Sequence, residues 1–319
     1  MLTPPRATPC SVRGAQFNND GAHLLTGSYD FSTVVWDVKS GAPKQRFEVH
    51  TGQVLDVDWQ DSNTFTSCSS DNTIAVCQVN PPSISISLSL SGNLSLPCAD
   101  RAHAGPARVL PLGRLASTAV SVTTQLLLRC LIPVALQQVG AAAPVRTFLG
   151  HRDEVNAVKW DPAGRMLASC SDDTTVKLWQ LDKPSPVHDL REHKKEIYTI
   201  RWSPTGPGSE NPNGKTLLAS ASFDASVKLW DAEAGKATLS LDKHDKKVYT
   251  VAFSPCGSYL ASGSLGGQLY IWDVKGGSVV KCFRGGSDIF EVAWNQNGTR
   301  LACCGATGSN NVTIIDFRV

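Results

Sequence analysis

Residues 151–244 contain two tandem copies of one pattern, and this repeat constrains the possible folds more than any other feature of the chain. Each copy has a histidine nine residues before an aromatic residue. Each then has the motif LASxS, an aspartate, and a tryptophan six residues after that aspartate. Self-similarity at a period near 40 residues is typical of β-propeller blades. The sequence therefore predicts an all-β propeller.

The same offsets identify six repeats. The third strands of these repeats are predicted to end at Trp36, Cys77, Trp179, Trp230, Trp272 and Ile315. Successive positions in this series are 41, 102, 51, 42 and 43 residues apart. One interval is far longer than the others, so we predict an insertion there, within the second repeat.

The inserted segment, residues 80–143, differs in composition from the repeats around it. It contains no Phe, Tyr, Trp, Lys or Glu and is rich in Ser, Ala, Leu and Pro. Such a composition predicts disorder, and we propose translated intron sequence as its origin. A binding segment and a membrane-related segment are the alternatives, although the apolar run 126–136 is too short to cross a bilayer.

The remaining boundaries follow from the repeats. Residues 1–10 are Pro-rich and are predicted to form a loose tail. Residues 11–79 are predicted to contain repeat one and repeat two without its last strand. The last strand of repeat two and repeats three to six are predicted over residues 144–319.

Polar residues recur at fixed positions inside these otherwise apolar strands. An unpaired buried polar group costs about 1–3 kcal/mol, so we expect the recurring residues to bond one another. In this network, aspartate accepts from histidine, histidine meets a hydroxyl, and the hydroxyl accepts from the indole N–H. The predicted members are His151, Ser169, Asp173 and Trp179; His193, Ser220, Asp224 and Trp230; and, without a histidine, Thr26, Asp30 and Trp36.

Some repeats are predicted to have incomplete networks. Cys77 replaces the tryptophan in repeat two, and Gly267 stands at the predicted aspartate position in repeat five. Repeat six lacks the histidine, the aspartate and the tryptophan. Because the histidine–serine–aspartate sets recur once per blade, we interpret them as structural and not as hydrolytic triads.

These tetrads resemble those of WD-repeat (WD40) proteins. Three segments resemble, more narrowly, the transducin-β-like family of nuclear corepressor subunits: VLDVDWQDSNTFTSCSSD (54–71), GHRDEVNAVKWDPAGRMLASCSDD (150–173) and HKKEIYTIRWSPTGPGSENPN (193–213). Members of that family carry an N-terminal LisH region with an F-box-like segment and an eight-bladed propeller. The resemblance covers residues 11–80 and 144–319. It implies that the six repeats are an incomplete part of an eight-bladed ring, without the LisH region.

The resemblance implies a non-enzymatic scaffold in the nucleus, a subunit of a transcriptional corepressor and histone deacetylase complex. Its expected partners are corepressor and deacetylase subunits, transcription factors and histone tails. The alternative is a substrate receptor of a ubiquitin ligase, or another WD-repeat adaptor.

Other classes of function find no support in the residues. We predict no catalytic site, no metal site and no cofactor, since the chain has no phosphate-loop motif and Cys303 and Cys304 are adjacent and strand-like. A net charge of +2 without a basic run argues against direct binding of nucleic acid, and no membrane contact is expected. Most of the ten cysteines lie in strand patterns, which favours free thiols in a reducing compartment.

Partners are expected on the side of the propeller onto which the turn aspartates open. The candidates are the residues before those aspartates, where aromatic residues are the better anchors, and the residues that precede the first strands. They are Tyr29, Ser70, Asp172 and Phe223, and Glu154, Glu196 and Lys247. The alternative is that these residues only shape the turns and the solvated rim.

Overall fold

Short strands with apolar residues on both faces make up the described part of this computed structural model, which comprises residues 11–79, 143–305 and 312–318. These residues form strands and turns without any helix, so the all-β prediction is confirmed. Within each sheet, each strand pairs antiparallel with the next along the chain, and most of the turns between paired strands are short. The result is a series of six sheets, one for each repeat.

The first three sheets have four strands each. Sheet one contains β1 (Val12–Phe17), β2 (His23–Ser28), β3 (Thr33–Asp37) and β4 (Pro43–Phe47). Sheet two contains β5 (Val54–Trp59), β6 (Thr64–Ser69), β7 (Thr73–Gln78) and β8 (Arg146–Leu149). Sheet three contains β9 (Val155–Trp160), β10 (Leu167–Ser171), β11 (Val176–Trp179) and β12 (His188–Leu190).

The other three sheets repeat this plan. Sheet four contains β13 (Ile197–Trp202), β14 (Leu217–Ser222), β15 (Val227–Asp231) and β16 (Lys236–Leu241). Sheet five contains β17 (Val248–Phe253), β18 (Tyr259–Ser264), β19 (Gln268–Asp273) and β20 (Val279–Arg284). Sheet six has three strands among the described residues: β21 (Ile289–Trp294), β22 (Arg300–Gly305) and β23 (Val312–Asp316).

The turn between the second and third strands uses the same strained backbone conformation in several sheets. Phe31, Asn72, Thr174 and Ala225 all have φ between 66° and 71°, and each follows the turn aspartate. This left-handed region is costly for residues with a Cβ. In sheet five a glycine, Gly267, occupies the position with φ 74°. The aspartate hydrogen bonds described below hold the turn in this conformation.

Neighbouring sheets pack face to face in chain order, through β1 and β5, β5 and β9, β9 and β13, β13 and β17, and β17 and β21. Side chains from two sheets interdigitate in each layer; Val54 and Val57, for example, lie over Gly27. A Cβ on Gly27 would come within 2.6 Å of Val54 Cγ1, so this close approach requires glycine. The largest fully buried side chains are Trp179, Trp230 and Trp272.

Two predicted segments lie outside the described residues: the tail, residues 1–10, and the insertion, residues 80–143 apart from Ala143. The chain re-enters the propeller at β8, which completes sheet two beside β7. None of the described residues forms a helix that could cross a bilayer.

Candidate partner-binding face

The recurring polar residues form buried hydrogen-bond networks in sheets three and four. His151 lies 2.9 Å from Asp173 and 2.7 Å from Ser169 Oγ, which accepts from the Trp179 indole N–H at 2.8 Å. In sheet four the corresponding distances are the same, with His193, Asp224, Ser220 and Trp230. The two serines are completely buried. A substrate therefore has no access to their hydroxyl groups, and the networks hold the blades together.

The turn aspartates of these networks also bind the backbone. Asp173 accepts hydrogen bonds from the N–H of Arg152 and of Thr175, and Asp224 does the same with Lys194 and Ser226. Burial by itself raises the pKa of both carboxyl groups. The hydrogen bonds from histidine, hydroxyl and backbone outweigh burial and hold each pKa well below its usual range. The carboxylates are thus ionised and tie together two adjacent loops.

Sheets one and two contain parts of the network. Trp36 donates to Thr26 Oγ1 at 2.8 Å, while Asp30 binds Ser32 and Arg46. In sheet two, His50 lies 2.8 Å from Ser67 and 3.2 Å from Asp71, and Cys77 is buried where sheets one, three, four and five have tryptophan.

In sheet five, the residue at the aspartate position differs from the one predicted from the sequence. The pairing of β18 with β19 places Gly266, and not Gly267, at the aspartate position, because Trp272 pairs with Leu260 as Trp179 pairs with Leu167. The network is nevertheless closed. His244 lies 2.7 Å from Ser262, which binds the Trp272 indole, and its other ring nitrogen lies 2.9 Å from Ser264. A second serine thus replaces the missing carboxylate.

In sheet six a cavity takes the place of the network. It has a volume of about 210 Å³ and is lined by Gly285, Cys303 and Ile315 among others. Gly285 lies nine residues before Trp294, where the other repeats have histidine, and Ile315 stands at the tryptophan position. Burial raises the pKa of the Cys303 thiol to about 11, so this thiol is protonated and unreactive.

A β-bulge at the second residue of every first strand builds the candidate face. The register with the second strand skips Arg13, Leu55, Asn156, Tyr198, Tyr249 and Phe290. Bulges of this kind re-aim side chains at strand ends. Polar contacts between distant sheets show that the first strands surround a common centre: Arg13 donates to Tyr198, and Arg201 pairs with Glu291 at 3.8 Å.

Three of these bulge residues join Phe223 in an aromatic cluster. Tyr198 stacks on Phe223 with centroids 5.8 Å apart, and Tyr249 lies 4.8 Å from Tyr198, 5.0 Å from Phe223 and 5.1 Å from Phe290. All four side chains remain at least partly exposed. Partly exposed aromatic residues held by a rigid sheet are the usual anchors of protein–protein contacts.

Two cations of the protein lie on this aromatic cluster. Lys247 Nζ is 4.2 Å from the Phe223 centroid, and the Arg13 guanidinium is 5.4 Å from that of Tyr198. Arg13 also donates to Tyr29 at 3.1 Å, which brings Tyr29 to the cluster. The rings therefore present negative π-faces to cations.

Acidic side chains lie beside the aromatic cluster, on sheets three and four. Asp153, Glu154, Asp172 and Glu196 form no ion pair with any residue of the described ranges. Burial raises the pKa of Glu154, and the charges of Asp172 and Asp153 raise it further. Burial and neighbouring acids also raise the pKa of Asp172, although Asn156 donates a hydrogen bond to it at 2.6 Å. This side of the face holds negative charge without a counter-ion.

The structure brings most of the predicted face residues together. The N–H groups of Ser70, Asp172 and Phe223 donate to the carbonyls of Gln53, Glu154 and Glu196, so each turn is tied to the start of a first strand. Ser70 Oγ accepts from the Gln53 N–H at 2.9 Å, which is a turn-shaping role. The sequence analysis missed Arg13, Tyr198, Tyr249 and Phe290. An aromatic residue at the second position of three consecutive first strands was the signal that could have found the last three.

Metal binding and disulfides have no support in the described ranges. No group of three or more His, Cys, Asp or Glu side chains there could hold a metal ion. The seven cysteines of the described residues are free thiols. Burial raises the pKa of Cys68 and Cys170 well above the usual value.

Comparison with known proteins agrees with this architecture. The family model described as "WD domain, G-beta repeat" matches residues 5–37, 41–77, 142–180, 184–231 and 235–273. The C-terminal WD40 domain of Sif2 superposes with a TM-score of 0.67 at 17% identity, covering 97% of this chain and 70% of that chain. The fold and the repeats thus define a WD40-repeat β-propeller, a class whose domains generally act as non-catalytic platforms for protein–protein interaction.

Two relatives identify a family within this class. The chain is 43% identical to the WD40 repeat-containing protein HOS15 of Arabidopsis thaliana, over 88% of this chain and 36% of that protein. It is 40% identical to the F-box-like/WD repeat-containing protein TBL1X of Mus musculus, over 95% of this chain and 46% of that protein. The chain belongs to the transducin-β-like family of WD-repeat proteins. It spans less than half the length of these curated relatives.

Proposed function

We propose that this protein is a non-enzymatic scaffold subunit of a nuclear corepressor complex that contains a histone deacetylase. The observation that carries the proposal is the aromatic cluster of Tyr198, Phe223, Tyr249 and Phe290, exposed on a rigid WD40 propeller. A rigid platform with exposed anchors binds partners without a large ordering cost. Membership of the transducin-β-like family supports the corepressor part of the proposal, and with it the nuclear location.

The chemistry of the face favours a basic segment as the direct ligand. Asp172 and its acidic neighbours lack a counter-ion in the described ranges, and the adjacent rings accept cations, as Lys247 over Phe223 shows. A Lys- or Arg-containing peptide would meet both features. Histone tails have this composition, so we place them among the partners, beside deacetylase and corepressor subunits and transcription factors.

A second candidate function is that of a substrate receptor in a ubiquitin ligase. The phrase "F-box-like" in the name of the relative TBL1X favours it. Both functions would use the same face, and they differ in the complex that the scaffold joins.

Affinity purification from nuclear extract tests the proposal. We expect the wild-type chain to recover deacetylase subunits, and Tyr249→Ala to reduce that recovery at least about tenfold, because Tyr249 touches all three other rings of the cluster. Val279→Ala, on the outer strand β20, is the matched control and should bind as the wild type does. Quantitative mass spectrometry of the bound fraction is the measurement.

Recovery of cullin components without deacetylase would instead support the ubiquitin-ligase function. A basic peptide titrated by fluorescence anisotropy tests the face directly. We expect Asp172→Asn to weaken its binding and to reduce the dependence of the affinity on salt. If the wild type, Tyr249→Ala and Asp172→Asn bind the peptide with equal affinity, this face is not the binding site.

A further inference from the structure

The loops of three neighbouring sheets divide the candidate face by charge. Sheets three, four and five each pack between two other described sheets, so the surroundings of these loops are defined on both sides. Sheet three carries acids that are at least partly exposed, and sheet five carries exposed lysines immediately before β17. The acids are Asp153, Glu154 and Asp172, and the lysines are Lys246 and Lys247. A ligand that crosses the face over sheet four therefore passes from negative to positive charge.

The acidic side is fixed next to the aromatic cluster by one amide group. Asn156, the bulge residue of β9, donates through Nδ2 to Asp172 Oδ1 at 2.6 Å and to the Ile197 carbonyl at 3.0 Å. Ile197 directly precedes Tyr198, so the Asp172 carboxylate is held at the base of the cluster. The other carboxylate oxygen, Asp172 Oδ2, has no hydrogen-bond partner among the described residues. It can therefore accept from a cation of a ligand.

Lys247 occupies the aromatic ring on the positive side. Its Nζ lies 4.2 Å from the Phe223 centroid, and it forms no ion pair with any described residue, including Asp242 and Asp245 of its own loop. The chain holds this ammonium close to the ring at a high effective concentration. A ligand lysine that displaced it would gain one cation–π contact and remove another. A basic residue of a ligand therefore gains little at Phe223, and an anion gains the unpaired charge of Lys247.

We propose that Lys247 sets the orientation of the bound peptide: a basic residue of the peptide pairs with Asp172, and an acidic residue of the same peptide pairs with Lys247. This inference rests on the proposed function, since it takes the basic peptide as the ligand and adds the position of a second, opposite charge. A peptide with basic residues alone brings like charge to Lys247, which selects against it. The favoured partner thus carries both charges, with the aromatic cluster between them.

Fluorescence anisotropy with synthetic peptides and the full 319-residue chain tests the inference. Each probe has a Lys-Arg pair, a Gly-Ser spacer and a second pair that is either Glu-Glu or Gln-Gln. Spacers of about two, four and six residues cover the width of the cluster, since an extended residue spans about 3.3 Å. With the best spacer, we expect the wild type to bind the Glu-Glu probe about fivefold more tightly than the Gln-Gln probe.

Substitutions at two lysines of one loop show whether Lys247 causes this preference. In Lys247→Gln the two probes should bind within about twofold of each other, because the cation that pairs with the glutamates is gone. Lys247→Glu should reverse the preference, so that the Gln-Gln probe binds more tightly. Lys243→Gln is the matched control: Lys243 is exposed in the same loop and carries the same charge, but it contacts no ring of the described residues. It should keep the wild-type preference.

The outcomes separate this inference from the proposed function. Asp172→Asn should weaken both probes to the same extent, because it acts on the basic pair that they share. If the wild type binds both probes equally and Asp172→Asn weakens both, the basic ligand is supported and the role of Lys247 is wrong. An unchanged preference in Lys247→Gln would overturn that role too. If neither probe binds the wild type with any spacer, this inference and the basic ligand of the proposed function both fail.

Discussion

Replacing Trp230 with phenylalanine is expected to lower the free energy of unfolding by about 2–4 kcal/mol. The Trp230 side chain is 1% exposed, and its indole N–H donates to Ser220 Oγ at 2.8 Å. The substitution leaves a cavity and also removes the donor that ends the chain of bonds from Asp224 through His193. Urea denaturation of the wild type and the variant gives the difference directly.

Trp36→Phe is the matched control for this network effect. Trp36 donates to Thr26 at the same distance, but the residue is only partly buried, and Thr26 bonds no histidine in the described ranges. We expect a loss of about 1 kcal/mol or less there. Trp272→Phe should resemble Trp230→Phe, because Ser262, His244 and Ser264 continue its network. Equal losses at Trp36 and Trp230 would contradict the network argument.

Stability is expected to fall by about 2 kcal/mol between pH 7 and pH 5, through His244 alone. Burial lowers the pKa of this histidine from 6.5 to about 4, and the opposing charge of Asp245 does not offset it. The unfolded chain therefore binds a proton below pH 6.5 that the folded chain binds only near pH 4. The contribution of His244 is fully present above pH 6.5 and is lost as the pH falls towards 4. Urea midpoints across this range are the measurement.

The variant His244→Gln separates this contribution from those of other groups. It removes the titrating ring, so the decrease in stability between pH 7 and pH 5 should become smaller by about the same 2 kcal/mol. The absolute stability at pH 7 should also fall, since Ser262 and Ser264 lose a partner. An unchanged pH dependence would show that His244 does not govern acid sensitivity.

The local pattern of residues was sufficient to predict the strands and their grouping. Side chains alternate along a strand and repeats impose fixed offsets, so the positions of His151, Asp173 and Trp179 could be assigned without coordinates. Their hydrogen bonds could be expected too, because buried polar groups require partners. The assignment of the aspartate position to Gly267 was wrong by one residue. The six-residue offset to Trp272 and the pairing of β18 with β19 both place this position at Gly266.

Which residues form the candidate partner-binding face could not be predicted from their spacing in the sequence, because they meet through contacts between different sheets. Simple alternation would place Ile197 and Thr199 on one face of sheet four, but the pairing of β13 with β14 skips Tyr198 between them, and the Tyr198 ring lies against Phe223 and Tyr249. A bulge arises from how two strands twist and pair, and the meeting of Arg13 with Tyr198 requires four sheets around one centre. Ser264 likewise replaces a carboxylate only because folding brings it to His244.

What the sequence by itself determined is the blade: its strands, its turn aspartates and its buried tryptophans, all set by interactions within about 40 residues. What only the tertiary structure decided is which residues of different blades meet on the candidate face. Tyr198, Phe223 and Tyr249 are far apart in the sequence, yet their rings are in contact. Contact between blades is a property of how the sheets pack, and the sequence around one residue does not encode it.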